Sequence, residues 1–220
     1  MNMTIIYLLS GTVAYLMGSI PFGFLIAKTQ GIDIRKVGSG NIGATNVFRS
    51  VSKKLGVVTF ALDFLKGCCG AAVLPLIASH LAPIPPGGLA KEILPVFCGA
   101  MTIIGHNWTC FLGFKGGKGI ATSAGMLIGL SPVGVLISLS VWIVTFFSTR
   151  YVSLASICAA LTMAIVVWPL YLIYLKTHGV WFPVVLTLLA GLAIWKHRSN
   201  IARLRAGTES RFEFRKKGPS

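Results

Sequence analysis

The chain has 220 residues, 55% hydrophobic and only 11% charged, whereas a soluble domain carries about 25% charged residues. A soluble globular enzyme is nearly excluded on that count, and 20 Lys and Arg against 5 Asp and Glu leave a net charge of +15. On a soluble protein this excess suggests nucleic acid; on a membrane protein it marks cytoplasmic loops facing anionic lipid, or a site for anionic substrates.

In chain order, apolar runs predict transmembrane helices at about 4–27, 55–79, 93–113, 120–131, 133–148, 152–175 and 180–196, because a bilayer crossing needs ~20 apolar residues. The first run has no Lys or Arg in residues 1–4 and no small-residue cleavage site, so it reads as a retained span. The second is interrupted by Asp63 and Lys66, an i, i+3 pair that either neutralises itself or marks a functional polar interior. Positive charge gathers in 28–54 (Lys28, Arg35, Lys36, Arg49, Lys53, Lys54), at Lys115 and Lys118, and beyond Lys196. The segments 80–92 and 176–179 hold only Lys91 and Lys176, so they are expected outside and the basic segments inside.

Parity then requires an even number of crossings between Lys118 and the basic C-terminus. The run 120–149 must divide, and Ser131-Pro132 is the place, since proline removes a backbone donor. The expectation is an all-α polytopic membrane bundle of seven helices, N-terminus outside and C-terminus cytoplasmic, forming one domain over 1–220. Its fourth helix is only ~18 Å long against a ~30 Å hydrocarbon core. One long tilted helix and six spans is the plainer alternative.

Five scattered cysteines without CxxC spacing read as packing residues, and four separated histidines offer no metal site. Three polar clusters stand out. Gly38-Ser39-Gly40-Asn41-Ile42-Gly43 matches G-x-G-x-x-G, but it follows a membrane helix instead of a strand, so a dinucleotide fold is rejected. Small residues that let backbone N–H groups near an anion, with Ser39, Asn41, Thr45, Asn46 and the Arg49 fork, still suit phosphate; a flexible polar loop is the alternative. Lys115-Gly116-Gly117-Lys118-Gly119 is not a Walker A motif, yet it feeds a predicted helix N-terminus that attracts anions; a positive anchor with turn glycines is the plainer reading. His106 just before it reads as either structural or functional. His197, Asn200 and Ile201, at i, i+3 and i+4, share one face if the last helix continues, while Arg203 and Glu209 are expected to pair and fix the tail. The alternative there is an interfacial anchor. Ser153 starts the 152–175 helix as an N-cap or a ligand donor.

These motifs together resemble those of the bacterial acyl-phosphate:glycerol-3-phosphate acyltransferases, the PlsY family. The matching residues are Gly18-Ser19-Ile20-Pro21, Gly38-Ser39-Gly40-Asn41 and Gly43-Ala44-Thr45-Asn46; Gly105-His106, Phe114-Lys115-Gly116-Gly117-Lys118-Gly119 and Ala121-Thr122; and His197, Asn200-Ile201, Arg203-Leu204 and Gly207-Thr208-Glu209. The resemblance runs from about 4 to 212. It implies transfer of a fatty acyl group from acyl phosphate to the 1-hydroxyl of sn-glycerol 3-phosphate, giving lysophosphatidic acid and inorganic phosphate, in a bacterial inner membrane with the site facing the cytoplasm. It implies neither cofactor, metal nor nucleic acid. It places Ser39, Arg49 and Lys118 at the glycerol 3-phosphate phosphate, and Gly116, Gly117, Thr45 and Asn46 around the acyl-phosphate head. Gly40, Asn41, Lys115 and Gly119 complete those loops. His197 and Asn200 would orient the acceptor or the developing charge, with Ser153 nearby. The competing class is a membrane transporter for a phosphorylated metabolite, which should need polar residues along the whole membrane depth.

Overall fold

The structure is a computed structural model that describes residues 3–81, 89–175 and 179–213. The segment 82–88, Lys176, His178 and the residues from 214 onward lie outside the described residues. Every regular element described is helical, and the chain divides into two compact units, Met1–Pro132 and Val133–Ser220.

In the first unit the run expected as one helix over 4–27 is two: α1 (Met3–Ser19) and α2 (Phe22–Lys28). Pro21 is the reason. It has no N–H for the Met17 carbonyl, which instead accepts from Ile20 N–H at 3.2 Å before the helix restarts. The charged stretch 28–54, expected as a loop, contains α3 (Ala44–Ser50). The second apolar run is α4 (Lys53–Cys68) and α5 (Leu74–Leu81), joined by a widened π-helical turn at Cys69–Val73 just before Pro75. The third helix, α6 (Leu89–Asn107), stops short of the expected 113 and passes through a short 3-10 turn, Cys110–Leu112. α7 (Ile120–Leu130) ends at Ser131, and α8 (Pro132–Thr149) begins at the proline, so the break expected there is present.

Small residues bring these helices together, as they must where lipid supplies no hydrophobic drive between helices. α1 crosses α6 so closely that a methyl on Gly18 would lie 2.1 Å from the Thr102 carbonyl oxygen. α4 meets α7 in the same way, with Gly67 against the Thr122 carbonyl and Gly125 against that of Phe64. Outward faces carry Leu8, Leu9, Val57 and Leu76, all exposed.

The second unit comprises the rest of α8, α9 (Val152–Leu170), α10 (Trp181–Lys196) and α11 (Arg198–Arg205). α9 packs on α10, with Trp168 Nε1 donating to Thr187 Oγ1 at 3.1 Å. Five stretches, Met3–Lys28, Lys53–Leu81, Glu92–Leu112, Pro132–Thr149 and Val152–Tyr174, are long and apolar enough to cross a membrane; Ile120–Leu130 and Trp181–Lys196 are shorter apolar helices.

Candidate active site

The first loop is organised by one side chain. Asn46 is buried, and its Nδ2 donates to the carbonyls of Ile34 (3.1 Å), Val37 (3.0 Å) and Asn41 (2.9 Å). Its Oδ1 accepts from Ser39 N–H at 3.1 Å and from Ser50 Oγ at 3.3 Å. Gly40 N–H goes to Val37 O (3.0 Å), and Asn41 N–H goes to Ser39 Oγ (3.4 Å). The backbone donors of 39–41, expected to face an anion, are thus spent within the loop. Asn46 likewise shapes the loop, because its amide hydrogens already have carbonyl partners. Gly38 is required twice over: its φ is +58°, and a methyl there would lie 2.3 Å from Asn46 Oδ1. Among its side chains Ser39 and, in the last turn of α3, Arg49 are exposed, with Asn41 and Thr45 partly covered. Arg35 is not part of that set. It holds Asp33 in a fork at 2.9 Å, and this hydrogen bond keeps the Asp33 carboxyl down at about 2.

The second loop leans on the end of α6. Gly117 N–H donates to the His106 carbonyl at 3.0 Å, so this donor too serves the fold. A methyl on Gly116 would lie 2.1 Å from that same carbonyl oxygen, and one on Gly117 would lie 2.1 Å from His106 Nε2. Gly119 takes the left-handed φ of +79° that turns the chain into α7. These glycines let the loop lie flat on the end of α6, with Lys115 exposed and Lys118 partly buried between Gly117 and Gly119. Beneath them, Asp63 Oδ1 lies 2.8 Å from Lys66 Nζ and 3.5 Å from His106 Nδ1, with all three residues buried.

The second unit gathers a separate cluster around Glu209. Its Oε1 accepts from Ser153 Oγ and from Asn200 Nδ2, each at 2.7 Å, and its Oε2 accepts from Arg203 Nε at 2.7 Å. Burial alone would raise the Glu209 carboxyl, but the Ser153, Asn200 and Arg203 bonds outweigh it and hold the group below its ordinary value. Gly207, at φ +70°, reverses the chain: Gly207 N–H bonds Leu204 O and Thr208 N–H bonds Arg203 O, which returns Glu209 over α11. The last helix does not run on unbroken, as His197 sits at the joint between α10 and α11. Ile201 N–H still bonds the His197 carbonyl at 2.9 Å, so His197 and Asn200 stay one turn apart, both buried. His197 Nδ1 lies 2.8 Å from the Ala193 carbonyl, which can only accept, so the ring proton resides on Nδ1.

Ser39, Arg49 and the Lys115–Gly119 loop therefore belong to the first unit, and Ser153, His197 and Asn200 to the second, where Glu209 joins Ser153 to Asn200. Glu209 was expected only as the Arg203 partner; its hold on Asn200 and Ser153 depends on the Gly207 turn, and that glycine was the available signal.

A family model described as glycerol-3-phosphate acyltransferase matches residues 8–207. A glycerol-3-phosphate acyltransferase of Geotalea daltonii is 45% identical over 201 residues, covering 91% of this chain and 94% of the relative. One from Aquifex aeolicus is 43% identical over 203 residues, covering 90% and 95%. Among solved structures, PlsY (YgiH), described as an integral membrane glycerol 3-phosphate acyltransferase in its glycerol 3-phosphate form, is similar with TM-score 0.79 and 41% identity over 94% of this chain and 96% of that one. Its lysophosphatidic acid form is similar with TM-score 0.76, 40% identity and coverage of 94% and 95%. The chain belongs to the glycerol-3-phosphate acyltransferase family.

Proposed function

We propose that the protein transfers a fatty acyl group from acyl phosphate to the 1-hydroxyl of sn-glycerol 3-phosphate, releasing lysophosphatidic acid and inorganic phosphate. The observation that supports the acyltransferase and its glycerol 3-phosphate acceptor is the family match over 8–207, which includes the first two polar clusters and the third as far as Gly207; the acyl-phosphate donor rests on the motif resemblance. In the reaction the hydroxyl oxygen attacks the acyl carbonyl carbon, and the bond from that carbon to the phosphate oxygen breaks. The hydroxyl proton passes to a phosphate oxygen. An acyl phosphate is already an activated mixed anhydride, so the step needs neither a covalent enzyme intermediate nor a cofactor. Holding two reactants together and stabilising the oxyanion supplies the acceleration.

Ser39, Arg49 and Lys118 hold the phosphate of glycerol 3-phosphate, with Lys115 adding charge. Thr45 and the Lys115–Gly119 loop receive the acyl-phosphate head; Gly40, Gly116, Gly117, Gly119, Asn41 and Asn46 give the loops their shape. His197, with Nδ1 protonated toward a carbonyl, presents Nε2 as an acceptor suited to a substrate hydroxyl. Its Nδ1 partner is a neutral carbonyl, which supports basicity less than a carboxylate would; this favours a substrate phosphate as the final proton acceptor. Asn200 and Ser153 orient the acceptor. The chain crosses a bacterial inner membrane seven times, N-terminus outside, with the basic loops and the site on the cytoplasmic side, as the charge distribution favours.

Purified protein given palmitoyl phosphate and glycerol 3-phosphate should release phosphate and form lysophosphatidic acid. Product from acyl-CoA but not from acyl phosphate would change the donor. Uptake of glycerol 3-phosphate into vesicles without product would move the protein to the transporter class, which the acyltransferase names of the relatives do not favour.

A further inference from the structure

We propose that Lys66, Asp63 and His106 are positioning residues that lock the Lys115–Gly119 loop to the break in the first helix, and so set its phosphate geometry. The proposal rests on the acyltransferase reading above.

Three ionisable side chains lie together in the first unit at 4%, 2% and 6% exposure, an arrangement that is unfavourable unless each makes specific contacts. Lys66 Nζ makes two. It pairs with Asp63 Oδ1 at 2.8 Å, and it donates at 3.0 Å to the carbonyl of Ile20, one residue before Pro21. There the helix is interrupted, and the Ile20 carbonyl accepts the Phe22 N–H at 3.1 Å as well as the ammonium, which takes its second lone pair. Asp63 continues the line to His106 Nδ1 at 3.5 Å. The far side of the His106 ring meets the loop, since the space that a Gly117 methyl would need is occupied by His106 Nε2 at 2.1 Å. The His106 carbonyl takes the Gly117 N–H at 3.0 Å.

The same turn of α4 also packs on α7, the helix that follows the loop. Gly67, next to Lys66, abuts the Thr122 carbonyl, and Phe64, next to Asp63, abuts Gly125, both in the helix that the loop opens. The loop bearing Lys115 and Lys118 therefore meets His106 directly, and the helix it opens packs on the turn carrying Asp63 and Lys66. A simple neutral pair would require none of this convergence. A rearrangement here tilts the loop without removing any group that touches substrate.

The test uses full-length protein in detergent. The Asp63→Asn/Lys66→Met variant removes both charges together and so avoids leaving either one buried alone. It is expected to raise the KM of both glycerol 3-phosphate and acyl phosphate, whose phosphates the loop receives, ten-fold or more, with kcat within about three-fold. Gly117→Ala should raise the same KM values through collision with His106, and His106→Ala, which removes the ring that the loop meets, should raise them as well. Unchanged KM values in the charge-free variant or in His106→Ala overturn the proposal. So do losses that follow the thermal transition and lower kcat instead of raising KM. Parent protein that binds glycerol 3-phosphate by titration calorimetry but forms no product would instead overturn the acyltransferase reading.

Discussion

The two glycine-rich loops of the first unit are built on opposite principles. The loop over 37–46 supports itself: one buried carboxamide, Asn46, binds three carbonyls and an N–H of its own neighbourhood. The loop over 115–119 has no such internal hub. It rests on His106, and the helix it opens packs on the α4 turn that bears Asp63 and Lys66. Glycine is essential in both for different reasons, a left-handed turn at Gly38 and close backbone approach at Gly116 and Gly117. The difference teaches that two loops of similar composition should fail differently, one locally and one through residues far away in sequence.

The largest effect should come from Asp63→Asn alone, which leaves the Lys66 ammonium buried without its charge partner. Breaking such a pair costs about 3–5 kcal/mol. Thermal unfolding should register it, and hydrogen exchange should speed up over 114–120 while 38–46 keeps its protection. Equal loosening of both loops would erase the contrast between them. Next is Asn46→Ala, which removes the donors of three carbonyls at a net cost of roughly 1 kcal/mol each, about 3 kcal/mol in all. Its exchange signature should be the reverse, confined to 34–43.

The smallest effect belongs to Glu209→Gln in the second unit, and it sharpens the comparison by adding a carboxylate hub to the carboxamide one. Gln keeps one acceptor but loses the charge-assisted bonds, at about 2 kcal/mol. Because the Glu209 carboxyl is held below its ordinary value, its stabilisation is complete above the unfolded pKa and fades as pH falls through the lowered folded one. The parent should therefore lose stability on acidification more steeply than Glu209→Gln, as thermal unfolding at several pH values would measure. Parallel pH profiles would mean that the charge adds nothing.

Much of the fold was legible because membrane helices announce themselves residue by residue. Long apolar runs placed the spans, and Ser131-Pro132 marked a real break. Pro21 carried the same signal within the first run, but the continuous hydrophobicity around it masked the break. The short α3 was hidden among charges and glycines, where neither apolar periodicity nor run length speaks. At the site, residue types pointed to phosphate, while the hydrogen-bond partners of individual groups were not legible. Backbone N–H groups of Ser39, Gly40, Asn41 and Gly117 appeared suited to an anion but are committed to carbonyls, side-chain oxygens or the neighbouring helix.

What the sequence by itself determined is the solvent this chain requires and the chemistry it can host. Its apolar runs and its +15 charge are sums over residues and need no coordinates. Only the tertiary structure decided which polar groups are occupied with one another. That Asn46 is spent on its own loop, that Glu209 holds both Ser153 and Asn200, and that Lys66 reaches the Ile20 carbonyl are facts of distance between residues up to 56 positions apart. A hydrogen bond or ion pair forms only within a few ångströms, and no local pattern in the chain encodes that proximity.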